Sequence, residues 1–207
     1  MQNLFISRLF EDPIFFFRYV VIIIISIVIH ELAHGVAALS QGDDTPKIKG
    51  HMTPDPIVHM GIPSLIFLFF SGMAWGAMPV NPAKFRHARW SDMLVSAAGP
   101  LSNLVLGTLA AIVAAIALRS DSKLISIEFC LMAAQINFLL FAFNLLPVPP
   151  LDGFHVYSQI FPALQKLATP EISLFLIFVL FSVPAVSHFL NLISSNMVNG
   201  ILSVFTG

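Results

Sequence analysis

The chain has 207 residues, 57% hydrophobic and 10% charged, which is more apolar material than a soluble core of that length can hide. Ten basic and eleven acidic residues leave a net charge of −1, so bulk electrostatics selects no nucleic-acid or polyanionic partner. The single cysteine, Cys130, cannot form an intramolecular disulfide and gives no reading of redox compartment.

Apolar runs of about 17 residues or more, the length a helix needs to cross a bilayer, stand near 14–38, 63–79, 93–118, 124–146 and 172–193. The first follows an irregular segment with Pro13 and lacks a small-residue cleavage site, so it is expected to remain in the mature protein. Gly42 to Pro63 is polar and holds Pro46, Pro54 and Pro56, while Pro79 to Ser91 holds Lys84, Arg86 and Arg89. Both are predicted as aqueous loops. A turn with Arg119, Asp121 and Lys123 separates the third and fourth runs, and Pro147, Pro149 and Pro150 stop the fourth. Beyond Pro170 the apolar stretch is broken by Pro184 and His188, which leaves open one span or a span followed by an interfacial helix. The expected fold is an all-α polytopic membrane protein of about four to six transmembrane helices, one integral membrane domain over 1–207.

Inside the first run stands His30-Glu31-Leu32-Ala33-His34, which puts two imidazoles four residues apart on one helical face with a carboxylate beside them. Zinc accepts two such histidines from one helical turn, and the glutamate can hold a metal-bound water and remove its proton. A charged side chain at the centre of a spanning helix costs about 2.5–3.5 kcal/mol on insertion scales, and a metal supplies the offsetting interaction. Placement at the headgroup boundary, where the helix leaves the bilayer, would need no metal. A catalytic zinc site takes three protein ligands and one open position. Asp152, in Leu151-Asp152-Gly153 after the proline-rich stop, is the best third ligand, although an aspartate there also suits the cap of a following helix.

Four segments in order then resemble the site-2 protease family of intramembrane metalloproteases. They are His30-Glu31-Leu32-Ala33-His34-Gly35, Met78-Pro79-Val80-Asn81-Pro82, Ala98-Gly99-Pro100-Leu101-Ser102-Asn103, and Asn144-Leu145-Leu146-Pro147-Val148-Pro149-Pro150-Leu151-Asp152-Gly153. The resemblance implies that His30, His34 and Asp152 bind one Zn2+ per chain, that Glu31 is the catalytic acid/base, and that Asn103 steadies the substrate or the tetrahedral oxyanion. A buried asparagine on an apolar helix equally suits a helix-to-helix hydrogen bond, and the same holds for Asn144. Phe154 stands where many members have a second glycine, and the 207 residues hold no room for a PDZ domain. His51 and His59 lie in the polar loop, and His87, His155 and His188 carry no spacing signal. The catalytic core is expected near 14–155, with a C-terminal helical segment over about 171–207.

For Asp152 to meet His30 and His34, one of the runs 63–79, 93–118 and 124–146 must enter and leave the membrane on one face. The run 63–79 is short and interrupted by Ser71, Gly72 and Gly76, so a re-entrant hairpin is predicted there, beside the metal. Lys47, Lys49, Lys84, Arg86, Arg89 and Lys166 then share one side, with Arg8, Arg119 and Lys123 opposite and Arg18 near that end. This charge split favours an active site facing the cytoplasm from the inner (plasma) membrane. The expected activity is hydrolysis of a peptide bond within or near the transmembrane segment of a membrane-protein substrate. The rivals are a membrane transporter and a metal-binding pseudoprotease.

Overall fold

A computed structural model describes residues 4–120 and 125–206. The turn expected around Asp121 and Lys123 lies outside the described residues. Seven helices carry the architecture: α1 (Pro13–Ser40), α2 (Pro56–Ser71), α3 (Ala88–Arg119), α4 (Ile127–Asn144), α5 (Asp152–Ile160), α6 (Pro170–Ser182) and α7 (Pro184–Thr206). No strand occurs among the described residues. Three helices, α1, α3 and α4, are long and apolar enough to cross a membrane, and the pair α6 and α7 makes a fourth span if counted together. The protein is a multi-pass, all-α membrane protein, at the lower end of the helix number expected from the apolar runs.

Helix α3 is the central element, packed against α1, α4, α5 and α7. One of its faces carries Gly99, Asn103, Gly107 and Ala111 at every fourth position, all buried, followed by buried Ala114 and Ala115. Small residues let helix axes approach closely where water exclusion offers no driving force between helices. Phe138 of α4 fills the room at Gly107, and a Cβ there would stand 2.8 Å from its ring. The opposite face, with Leu101, Val105 and Leu109, is exposed on the outside of the bundle.

The predicted hairpin exists and is longer than the apolar run implied. Its inward limb is α2, which starts at Pro56 inside the stretch read as an aqueous loop. Asp55 accepts from the Ile57 N–H and Pro56 occupies the first helical position, where a missing N–H costs nothing. The 16 residues of α2 are kinked at Gly61 (φ 69, ψ 160), and even a straight helix of that length, about 24 Å, falls short of the hydrocarbon thickness. Its tip is capped at Gly72 (φ 77), whose carbonyl accepts from the Tyr19 hydroxyl at 2.9 Å. The chain returns without helix to Asn81, whose N–H reaches Asp43 at 2.6 Å, just past the end of α1.

The two limbs are joined through a deliberate gap. Gly61 leaves the helical backbone (φ 69, ψ 160) and Pro63 has no N–H, so the His59 carbonyl has no helical donor, and the Ala77 N–H takes it at 2.9 Å. Ser64 Oγ both accepts from the Trp75 N–H and donates to the Trp75 carbonyl. Phe16, Val20, Ile23 and Ile27 of α1 pack against Met60 and Leu68 of α2, which fixes the hairpin on α1.

The ends of the spans are tied separately. At one end Arg86 N–H bonds the Gln41 carbonyl, Lys84 pairs with Asp44, and Gln159 donates to Asp92. At the other, Arg18 reaches Glu128 and the Ser126 hydroxyl that caps α4. Cysteines placed at Lys47 and Arg89, in a Cys130→Ala background, are expected to react with an impermeant label from the same side, and one at Ser120 from the other. Labelling of Lys47 and Arg89 from opposite sides would overturn the hairpin.

The last apolar stretch is two helices. Thr169 caps α6 and Pro184 restarts the chain as α7 at a bend of 73°. Helix α7 packs on α3 and α4, whereas α6 buries none of its own residues.

Candidate metal centre

The pattern at His30 to His34 falls within α1, on the face toward α3. From His34 to the end of the helix at Ser40 is about 9 Å, and from Arg18 to His30 about 18 Å, along a helix long and apolar enough to cross a membrane.

Three donor atoms converge. His30 Nε2 and His34 Nε2 are 3.0 Å apart, and Asp152 Oδ2 lies 3.0 Å from the first and 3.4 Å from the second. A tetrahedral ion with bonds of about 2.0–2.1 Å needs donors about 3.3 Å apart, so the spacing fits zinc. The chemistry of the donors fits as well. His34 Nδ1 is 2.7 Å from the Val95 carbonyl, which can only accept, so Nδ1 carries the proton and Nε2 presents a lone pair. His30 Nδ1 is likewise engaged, by Asn103 Oδ1 at 2.6 Å. Two lone pairs and a carboxylate that face one another at this range call for a cation between them.

Asp152 opens α5, and that helix has no side-chain cap, so the aspartate is turned to the imidazoles and not to its own helix. The neighbouring glycine serves close approach, not flexibility. A Cβ on Gly153 would stand 2.4 Å from the Leu145 carbonyl group at the end of α4. Phe154 is buried and leaves Asp152 where it is.

Gly99 of α3 closes the site from the far side. A Cβ there would lie 2.3 Å from His34 Nε2 and 2.5 Å from His30 Nε2, close to metal-bond distance. Nothing in the sequence marked this residue except its place in a motif. Glu31 makes no hydrogen bond or ion pair to the protein among the described residues, and the returning hairpin limb passes it at Gly76, where a Cβ would be 2.6 Å from Oε1. All four side chains line one cavity of about 470 Å³, with Asn144, Met78 and His155 further along its wall.

The remaining polar residues divide. Asn103 is fully buried at the back of the cavity behind His30, while Asn144 is half-buried at the end of α4 and donates to the Leu140 carbonyl. His59 is buried in α2, donates through Nε2 to the Thr53 carbonyl and leaves Nδ1 without a partner. His51 bonds the Lys49 carbonyl. His87 and His188 are exposed and away from the cavity.

Comparison with known proteins adds an independent line. A family model described as Peptidase family M50 matches residues 115–184, a stretch that contains Asp152 but not His30. The protein named "Putative zinc metalloprotease YwhC" of Bacillus subtilis strain 168 is 34% identical over 195 residues, with 89% of each chain covered. The protein named "Putative zinc metalloprotease Rip2" of Mycobacterium tuberculosis H37Rv is 31% identical over 180 residues, covering 79% of this chain and 66% of that one. No solved structure matches.

Proposed function

The chain belongs to peptidase family M50, the site-2 protease family, and is a zinc metalloprotease; we propose that it cuts peptide bonds within or beside the transmembrane segment of membrane-protein substrates, as one peptidase domain. The observation that carries this reading is the convergence of His30, His34 and Asp152 on a helix long and apolar enough to span a membrane, about 9 Å from its end and beside an apolar hairpin too short to cross.

His30, His34 and Asp152 would hold the zinc in this reading, and the ion would supply Lewis acidity for the scissile carbonyl and for water there. Glu31, on the same cavity wall and without a hydrogen-bond partner among the described residues, accepts the proton of the water whose oxygen adds to the peptide carbon. It returns that proton to the leaving nitrogen as the C–N bond breaks, giving a carboxylate and an amine. Asn144 still has an amide N–H to offer a ligand in the cavity.

A helical substrate hides its peptide groups, so it must unwind before cleavage. The limb from Met73 to Val80 spends hydrogen bonds on α2 through Trp75 and Ala77, and its cavity side is suited to pairing with an extended segment. Basic residues on the Ser40 side, against Arg8, Arg18 and Arg119 on the other, favour a cytoplasmic active-site face in the inner (plasma) membrane.

Purified protein in liposomes with a single-span substrate tests the proposal. Cleavage is expected inside the span by mass spectrometry, faster when the span carries Gly or Pro. A chelator should stop it and zinc restore it. Cuts confined to segments outside the bilayer, or zinc binding with no cleavage of any span, would overturn the reading.

A further inference from the structure

Behind His30 lies a chain of amide groups that the chemistry above does not use. Asn137 of α4 donates from Nδ2 to the Ala133 carbonyl at 2.9 Å, and a carbonyl can only accept, so this bond sets which way its amide faces. Asn137 Oδ1 therefore points at Asn103, which donates from Nδ2 at 3.0 Å. The other N–H of Asn103 is directed to the Ser26 carbonyl of α1 at 3.4 Å. With its nitrogen committed twice, Asn103 has only Oδ1 to offer His30, and it accepts from Nδ1 at 2.6 Å. Both asparagines are buried, Asn103 at 0% and Asn137 at 4% exposure, so an amide turned the other way would face carbonyl with carbonyl in an apolar interior.

We propose that Asn137 and Asn103 form a relay that holds His30 in its Nδ1–H tautomer and ring orientation, and so tunes the metal affinity of the site from a third helix. Asn103 is then a positioning residue: both of its amide protons are used, and none remains for a substrate oxygen. Asn137 touches no donor atom of the cluster and acts only through Asn103. The relay rests on the reading of His30 as a zinc ligand.

Zinc dissociation constants of the purified protein, measured by competition with a chromophoric chelator, test it alongside the visible spectrum of the Co2+-substituted protein. Asn103→Leu is expected to weaken zinc binding by about 10–100-fold, and Asn137→Leu in the same direction by less. Both should shift the Co2+ bands. Asn137→Asp, near-isosteric and protonated in so buried a position, can donate to Ala133 and accept from Asn103, so it should restore affinity. Should Asn103→Leu fail to fold, the Asn137 pair carries the test alone. Leucine variants that melt earlier but keep zinc affinity and Co2+ spectrum would overturn the relay, showing simple helix packing. His30→Ala separates the two readings: unchanged zinc affinity there would refute the ligand assignment itself, whereas loss there with unaffected asparagine variants refutes only the relay.

Discussion

Glu31→Gln is expected to leave the zinc content of the purified protein unchanged while lowering its cleavage rate by about 10²–10⁴-fold. The amide matches the carboxylate in shape, and Glu31 donates to and accepts from no protein group that the change would disturb, so the fold should hold. What disappears is a base. A barrier higher by about 3–5 kcal/mol corresponds to that loss. Elemental analysis and cleavage of a reconstituted single-span substrate check both halves. A variant that keeps more than a tenth of the wild-type rate would remove Glu31 from the mechanism.

Gly99→Ala should have the opposite signature, with the metal lost and the helices retained. The added methyl would stand 2.3–2.5 Å from both imidazole nitrogens, in the space that a ligated ion needs. Alanine is the better helix former by about 0.5–1 kcal/mol, so α3 itself has no reason to weaken. Zinc content near zero with an unchanged helical circular dichroism spectrum is the expected result. Full zinc occupancy would show that the ion is held elsewhere or that α3 can move aside.

Much of the site could be read from the residues. Helical spacing alone puts His30, Glu31 and His34 together, and the requirement that Asp152 meet them predicts a hairpin before any coordinate is seen. The start of that hairpin was not legible, because Asp55, Pro56 and His59 make the first turns of α2 look like loop. The same polarity is what caps the helix. Asn103 stands in a recognisable motif, but the residues that decide its role, Ser26 and Asn137, carry no spacing signal. A lone asparagine in an apolar helix announces a hydrogen bond without naming its partner. The bend before Pro184 is not legible for a similar reason, since a proline can restart a helix as readily as kink it.

Pro63 has one effect that reaches beyond the hairpin. With the helical backbone broken at Gly61, its absent N–H leaves the His59 carbonyl to Ala77, and that bond indexes the extended limb against α2 like a tooth in a rack. A slip of one residue in either direction would present Trp75 or Ala77 to the Glu31 carboxylate, where only Gly76 leaves room. The alignment of that limb with the carboxylate thus depends on the break that Gly61 and Pro63 make in α2 and on the paired bonds of Ser64 to Trp75.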